Sequence, residues 1–260
     1  MRGTALASLY SPLYVTPTSS KENIRAPELS QTLEEQYNER PWTTRMAAPE
    51  NKTVRDLNGK WVINKTLSDN PDPVLALQGI GWLTRKAAGL ATVTQTVSTY
   101  TDDRGTSHID ISQSASGLKP SIEERAFDWQ ERATSNWLFG DVVGKSRYTT
   151  FKDLLAEPER ESERAIGNGW IGKGKDGDKG RVQEDAEWLA QGWLPESSDG
   201  EVVESYVENA KVGWTGWQVW GFAEVETQGE KKRWHTRRFV VRKGEESVRV
   251  VLRYDWAGEA

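Results

Sequence analysis

The chain has 260 residues, with 34 basic and 39 acidic side chains and a net charge of −5, too near balance to point to a nucleic-acid partner. It contains no cysteine and only two histidines, His108 and His235. That excludes disulfide frameworks, thiolate metal sites and cysteine nucleophiles, and removes the common histidine-rich metal centres. No run approaches the roughly 20 apolar residues of a membrane helix. The opening Thr4–Tyr10 is too short, and too soon broken by Pro12, for a signal peptide, so a cytoplasmic location without integral membrane association is expected.

Residues 1–52 are expected to form a disordered extension. Pro12, Pro17, Pro27 and Pro41 punctuate it, and the helical pattern through Leu29, Leu33 and Tyr37 is too weak to offset the entropy of ordering. Met46 inside it offers an alternative start. A first strand is expected over Leu57–Ile63. Two short helices follow, one running from Asp72 to Gly79 behind Pro71 and Pro73, the second from Trp82 to Ala88 and ending at Gly89. Each has about two turns, below the length stable in isolation, so both must pack on something.

From Thr92 the pattern alternates as strands do. Val93–Tyr100 and His108–Ser112 flank Asp102-Asp103-Arg104-Gly105, a hairpin signal, and Ile122–Trp129 and Lys145–Phe151 are further strands. An insertion over 153–183 opens as a charged helix (Leu154–Arg164) and continues into a glycine- and lysine-rich surface loop at 172–180 that lacks the spacing of a phosphate loop. Strands are then expected at Ala186–Leu194 or part of it, Glu201–Lys211, Trp217–Glu226, Arg233–Arg242 and Ser247–Trp256. The total is ten. Thirteen tryptophans against a modest apolar content fit either an aromatic-lined barrel or a tryptophan-rich ordinary core.

Gly59-Lys60-Trp61, followed by Leu77-Gln78-Gly79-Ile80-Gly81-Trp82-Leu83-Thr84-Arg85-Lys86-Ala87-Ala88-Gly89, resembles the opening and helix-turn-helix lid of the intracellular fatty-acid-binding proteins, of the calycin (lipocalin-like) superfamily. The resemblance is close from Leu57 to Thr101 and loose beyond Phe151. It implies an all-β fold for 53–260: a ten-stranded antiparallel calycin-like barrel with a two-helix lid between the first and second strands. In such a barrel alternate side chains line an interior that holds one ligand.

The family's carboxylate-binding arginine and tyrosine stand two apart on the last strand. Here Arg253 and Tyr254 are adjacent, and alternation puts them on opposite faces. The apolar even face (Val248, Val250, Leu252, Tyr254, Trp256) should point inward unless a bulge near Arg253 reverses it. On the preceding strand His235, Arg237, Phe239 and Val241 share one face, with Arg237 and His235 the preferred inward pair. Trp220 and Phe222 lie on the wide aromatic face of their strand, and Trp82 and Leu83 would lie near a portal. These nine residues, Trp82, Leu83, Trp220, Phe222, His235, Arg237, Phe239, Arg253 and Tyr254, are the candidate ligand contacts. No catalytic set is assigned. His108, Asp110 and Ser112 share a strand face but stand about 7 Å apart, too far for a hydrogen-bonded triad.

The expected function is cofactor-free, metal-free binding of a lipophilic, fatty-acid-like small molecule inside the barrel. The alternative is a cyclase or isomerase of specialised metabolism on the same barrel, which would need only substrate folding and one acid or hydrogen-bond donor. The residues leave the oligomeric state open.

Overall fold

The first strand, β1 (Gly59–Ile63), alternates Gly59, Trp61 and Ile63 with Lys60 and Val62. Gly59 is obligatory: its φ is +124°, and a Cβ there would run into the Trp256 ring. The computed structural model describes residues 46–115, 120–156 and 178–260. Of the expected extension, 1–45 lies outside these residues, whereas 46–52 runs along the barrel through hydrogen bonds from Ala48 N to Arg233 O (2.7 Å) and between Met46 and Trp256.

After β1 come α1 (Asp72–Leu77), begun by prolines and stopped at Gly79 (φ +84°), and α2 (Trp82–Leu90). Strands β2 (Val93–Thr101) and β3 (Ser107–Ala115) form a hairpin whose turn Asp102 closes, its carboxylate accepting the N–H groups of Arg104 and Thr106. Then follow β4 (Ser121–Ala126), β5 (Arg132–Asn136), β6 (Gly140–Thr149), the helices α3 (Phe151–Ala156), α4 (Asp178–Leu189) and α5 (Pro195–Ser198), and the long strands β7 (Val202–Asn209), β8 (Trp214–Thr227), β9 (Glu230–Lys243) and β10 (Glu246–Trp256).

All ten strands form one antiparallel sheet in the order β4-β3-β2-β1-β10-β9-β8-β7-β6-β5. The sheet curls into a nearly closed barrel. At the seam the chain after β4 reaches β6 through the Trp129 N–H to Ser146 O bond (3.0 Å) and a Phe127–Tyr148 ring contact at 4.3 Å. The calycin-like all-β barrel with its two-helix lid between β1 and β2 is therefore as the resemblance implies.

One expected strand is a helix and one observed strand was not expected, so the number ten stands with its membership changed. Ala186–Leu194 is not a strand: Val182, Ala186 and Leu189 are buried at helical spacing in α4. The strand missing from the expected set is β5, whose short polar sequence, Arg-Ala-Thr-Ser-Asn, is largely exposed and carries no alternation to read. The expected helix at Leu154–Arg164 overlaps α3 at 154–156; its remainder, and most of the loop at 172–180, lie outside the described residues.

Three apolar layers organise the molecule. Inside one end of the barrel, Ala48, Val54 and Leu57 form a plug with Trp61, Tyr254 and Trp256. Inside the other end, Val74 and Leu77 of α1 meet Val142, Trp214, Val241 and Val250. On the outer wall, Phe151 and Leu154 of α3 and Ala186 and Leu189 of α4 pack on Val202, Val219 and Val240. Each fully buried leucine there contributes roughly 1.5–3 kcal/mol. This outer layer is why β8 is apolar on both faces.

Candidate functional site

Between the two apolar ends the inward faces carry polar side chains. Alternation along β9 turns His235, Arg237, Phe239 and Val241 inward, and the register sets Arg237 opposite Trp220 of β8 and Leu252 of β10. Arg237 is buried; its guanidinium lies 3.8 Å from the Trp220 ring centre and 5.0 Å from that of Tyr254. It donates from Nη2 to Gln95 Oε1 at 3.0 Å, and its Nε stands 3.5 Å from His235 Nε2. Its hydrogen-bond partners are thus neutral.

Around it a polar belt runs across the sheet. Gln95 donates to Gln113 at 2.8 Å, and Trp220 Nε1 donates to Gln218 at 2.7 Å. On the far side of the interior, Arg125 of β4 pairs with Glu123 and donates to Ser146 (3.2 Å) and Ser205, so a side chain spans the seam that lacks strand pairing. The Arg125 guanidinium is 5.5 Å from the same Trp220 ring. Glu123 faces the interior opposite Ile111, yet 38% of its side chain stays accessible, so the barrel is open at this level rather than packed solid.

The charges follow from this placement. Burial pushes the Arg237 pKa down, while the nearby Tyr254 and Glu123 work the other way. Burial works to raise the Glu123 carboxyl, but Arg125 and Arg237 outweigh it and hold it below the ordinary carboxylate value. His235 is driven well below the ordinary imidazole value by burial and then by the Arg237 charge, and its ring is neutral at physiological pH. Burial raises the Tyr254 phenol, which stays protonated.

Of the nine candidates, Trp220, Phe222, His235, Arg237 and Tyr254 come together in this interior, with the His235 ring 5.1 Å from Tyr254 and 5.8 Å from Phe222. Phe239 faces inward one step toward the lid and is half-buried. Trp82 and Leu83 do not join them: they stand on the outer side of α2, 63% and 74% exposed. Arg253 lies on the outer wall, its Nη1 bonded to Leu67 O, because the strand runs without the bulge that would have turned it inward. Gln95, Gln113, Glu123, Arg125 and Gln218 escaped the sequence reading. Gln95 carried a signal, a polar residue in the inward phase between Val93 and Val97; in β4 the exposed Ile122 hid the phase that turns Glu123 and Arg125 inward. Among the described residues no cluster of His, Cys, Asp and Glu could hold a metal ion.

Fold and site together define a lidded ten-stranded barrel with an arginine-bearing, aromatic interior. In sequence, the chain is 30% identical over 214 residues to "Probable pericyclase scpY" of Mollisia scopiformis, covering 82% of this chain and 95% of that one. It is 26% identical over 215 residues to "Pericyclase pydY" of an Acremonium species, covering 82% and 98%. The chain belongs to the family of these proteins. No family model matches it. Solved structures of similar outline include a Schistosoma mansoni fatty acid binding protein in complex with arachidonic acid (14% identity, TM-score 0.39, covering 76% of this chain and 94% of that one). Another is Caenorhabditis elegans lipid binding protein 8 (12% identity, TM-score 0.42, covering 79% and 99%). The family assignment rests on the sequence relatives and not on these.

Proposed function

We propose that the barrel takes up a largely apolar, polyunsaturated small molecule and folds it for a pericyclic ring closure. The observation that carries this reading is Arg237, a cation buried between Trp220 and Tyr254 with only neutral hydrogen-bond partners, inside a chain whose family relatives are named pericyclases. A pericyclic closure moves electrons within the substrate, so the protein's part is geometry and polarisation. Holding the reacting ends in contact fixes in advance the internal rotations that the free chain must lose on its way to the transition state. The rings of Trp61, Trp220, Phe222 and Tyr254 would mould the chain. Arg237 would donate to an acceptor conjugated with the reacting π-system, and a preorganised donor of this kind is worth about 10²–10³ in rate. Phe239 would extend the wall toward the lid, beside the entrance formed by α1 and α2. The balanced charge and cysteine-free chain support a cytoplasmic protein whose partner is a small molecule rather than a nucleic acid.

Such a closure is an isomerisation, so substrate and product have equal mass. Deleting the gene in the source organism should remove one metabolite and leave a compound of the same mass with a different retention time; purified protein should convert that compound. Arg237→Gln should slow the conversion about a hundredfold with KM little changed. If deletion lowers metabolite amounts without exchanging isomers, and the purified protein retains ordinary fatty acids in native mass spectrometry, the barrel is a carrier and the catalytic reading fails.

A further inference from the structure

The outer wall of β9 and β10 holds a second group of arginines that the interior does not use. Alternation turns Arg238 and Arg242 of β9, and Arg249 and Arg253 of β10, away from the barrel, and the register sets Arg238 opposite Val251, between Arg249 and Arg253. At one end of this row Asp185 of α4 accepts from both Arg242 and Arg249. At the other end no described carboxylate bonds to either Arg238 or Arg253. Arg238 stacks 4.0 Å from the Trp188 ring and donates no hydrogen bond to any described residue, and its Nε is buried without a partner. The Nε of Arg253 is likewise buried and unpartnered, although Nη1 of Arg253 reaches Leu67 O. The carboxylate nearest in charge, Asp69, is committed to the Val251 N–H at 2.8 Å.

Burial and the neighbouring Arg253 charge push the Arg238 pKa down to about 10. A guanidinium so placed costs stability unless something pairs with it, since leaving buried donors unmade is expensive. Packing frames the pair: Trp188 covers one face of Arg238, and the Gly192 turn (φ +76°) lies against Nη1, where an added Cβ would come within 3.4 Å. Arg238 and Arg253 against the one nearby carboxylate, Asp69, leave this end of the row with a formal excess of one positive charge. A phosphate monoester carries about −1.5 to −2 at neutral pH and offers three acceptor oxygens, a charge of the right sign and acceptors suited to guanidinium N–H groups.

We infer that Arg238 and Arg253, under Trp188 and the Gly192 turn, form a phosphate-binding site on the outside of the barrel, separate from the interior site and independent of the reaction carried out there. The stacked ring holds the Arg238 plane in position, and the phosphate would accept from the terminal Nη groups, because the unpartnered Nε atoms are buried out of its reach.

The test titrates inorganic phosphate, and separately acetate, into the full chain at pH 7.5 and constant ionic strength, with calorimetry as readout. Saturable phosphate binding at least about tenfold tighter than acetate is expected; Arg238→Gln should weaken it about tenfold or more, Arg238→Lys less, and Arg132→Gln, an exposed arginine elsewhere, not at all. Phenylglyoxal labelling of the unaltered protein, mapped by mass spectrometry, gives a reading that needs no variant to fold: phosphate should protect Arg238 and Arg253. Glycerol 3-phosphate and vesicles of phosphatidate in phosphatidylcholine then separate a soluble ester from a lipid headgroup as the natural source. Equal affinity for phosphate and acetate, or no protection of Arg238, would show that the cation merely stacks on Trp188 and would overturn the site.

Discussion

The two ends of the barrel are closed in different ways. At one end the chain itself is threaded in: Leu57 and Trp61 are fully buried, Trp61 Nε1 donates to Leu57 O at 2.8 Å, and backbone bonds tie Met46 to Trp256 and Lys60 to Gly258. At the other end lie two short helices. Helix α1 inserts only Val74 and Leu77, and α2 fully buries no side chain, its Thr84, Arg85, Ala87 and Ala88 being half-buried. Polar contacts at its surface hold α2: Arg85 to Asp72 at 3.2 Å, and Lys65 to the terminal carbonyls of Gly89 and Leu90 at 2.9 and 2.8 Å. Local stability follows buried apolar contact, so the plugged end should open only with global unfolding and the lidded end far more often. A ligand bound at Arg237 would therefore pass the helices, not the plug.

Single truncations should separate the two ends. Trp61→Ala in the plug removes a fully buried indole together with its bond to Leu57 and should cost about 3–5 kcal/mol, read as a shift in the denaturation midpoint. Leu77→Ala in α1 should cost about 2 kcal/mol, at the low end for a leucine because the site is at the rim and can collapse. Amide hydrogen exchange would show where the loss falls. Faster exchange confined to α1 and α2 in Leu77→Ala, against faster exchange throughout in Trp61→Ala, supports the asymmetry; global acceleration in both breaks it.

The same contrast explains what could be read from the residues alone. The lid was legible because it is local: Pro71, Pro73, Gly79 and the small residues of α2 act within a few positions of themselves. The plug was not, since Ala48 in a proline-punctuated segment looks like linker until β9 meets it some 180 residues away. The interior was half legible. Alternation along β9 and β10 assigned Arg237 and Tyr254 to inward faces and put Trp220 on the wide aromatic face of β8, whereas Glu123 and Arg125 depend on how an edge strand docks across a seam. Residues in α4 were misread because Ala186–Leu194 is apolar at both periods, and only packing on Val219 and Val240 selects the helix.

A subtler probe of the plugged end is pH. The unfolded His235 titrates near its ordinary value of 6.5, while burial and Arg237 keep the folded group well below it. Between those two values the unfolded chain binds more protons, so stability from this residue is present above about pH 6.5 and is lost as the pH falls toward the folded value. One group contributes a slope of at most about 1.4 kcal/mol per pH unit. Denaturation midpoints measured from pH 7.5 to 5.5 should fall in the unaltered protein and flatten in His235→Gln; an unchanged slope would mean that water reaches the ring and the plug is looser than its packing against Trp61 at 5.1 Å implies.

The smallest effect belongs to the outer face of α2. Leu83→Ser replaces a side chain that is 74% exposed, so it should change stability by less than about 0.5 kcal/mol. Its use lies in that silence. Because no α2 side chain is fully buried, the helix rests on Arg85 and Lys65, and Lys65→Ala should accelerate exchange in α2 while Leu83→Ser leaves it unchanged. Should Leu83→Ser instead slow the release of a bound fluorescent fatty acid as strongly as it slows uptake, the exposed face would be in contact with ligand during passage. The entrance would then run over the outside of α2 rather than between the helices.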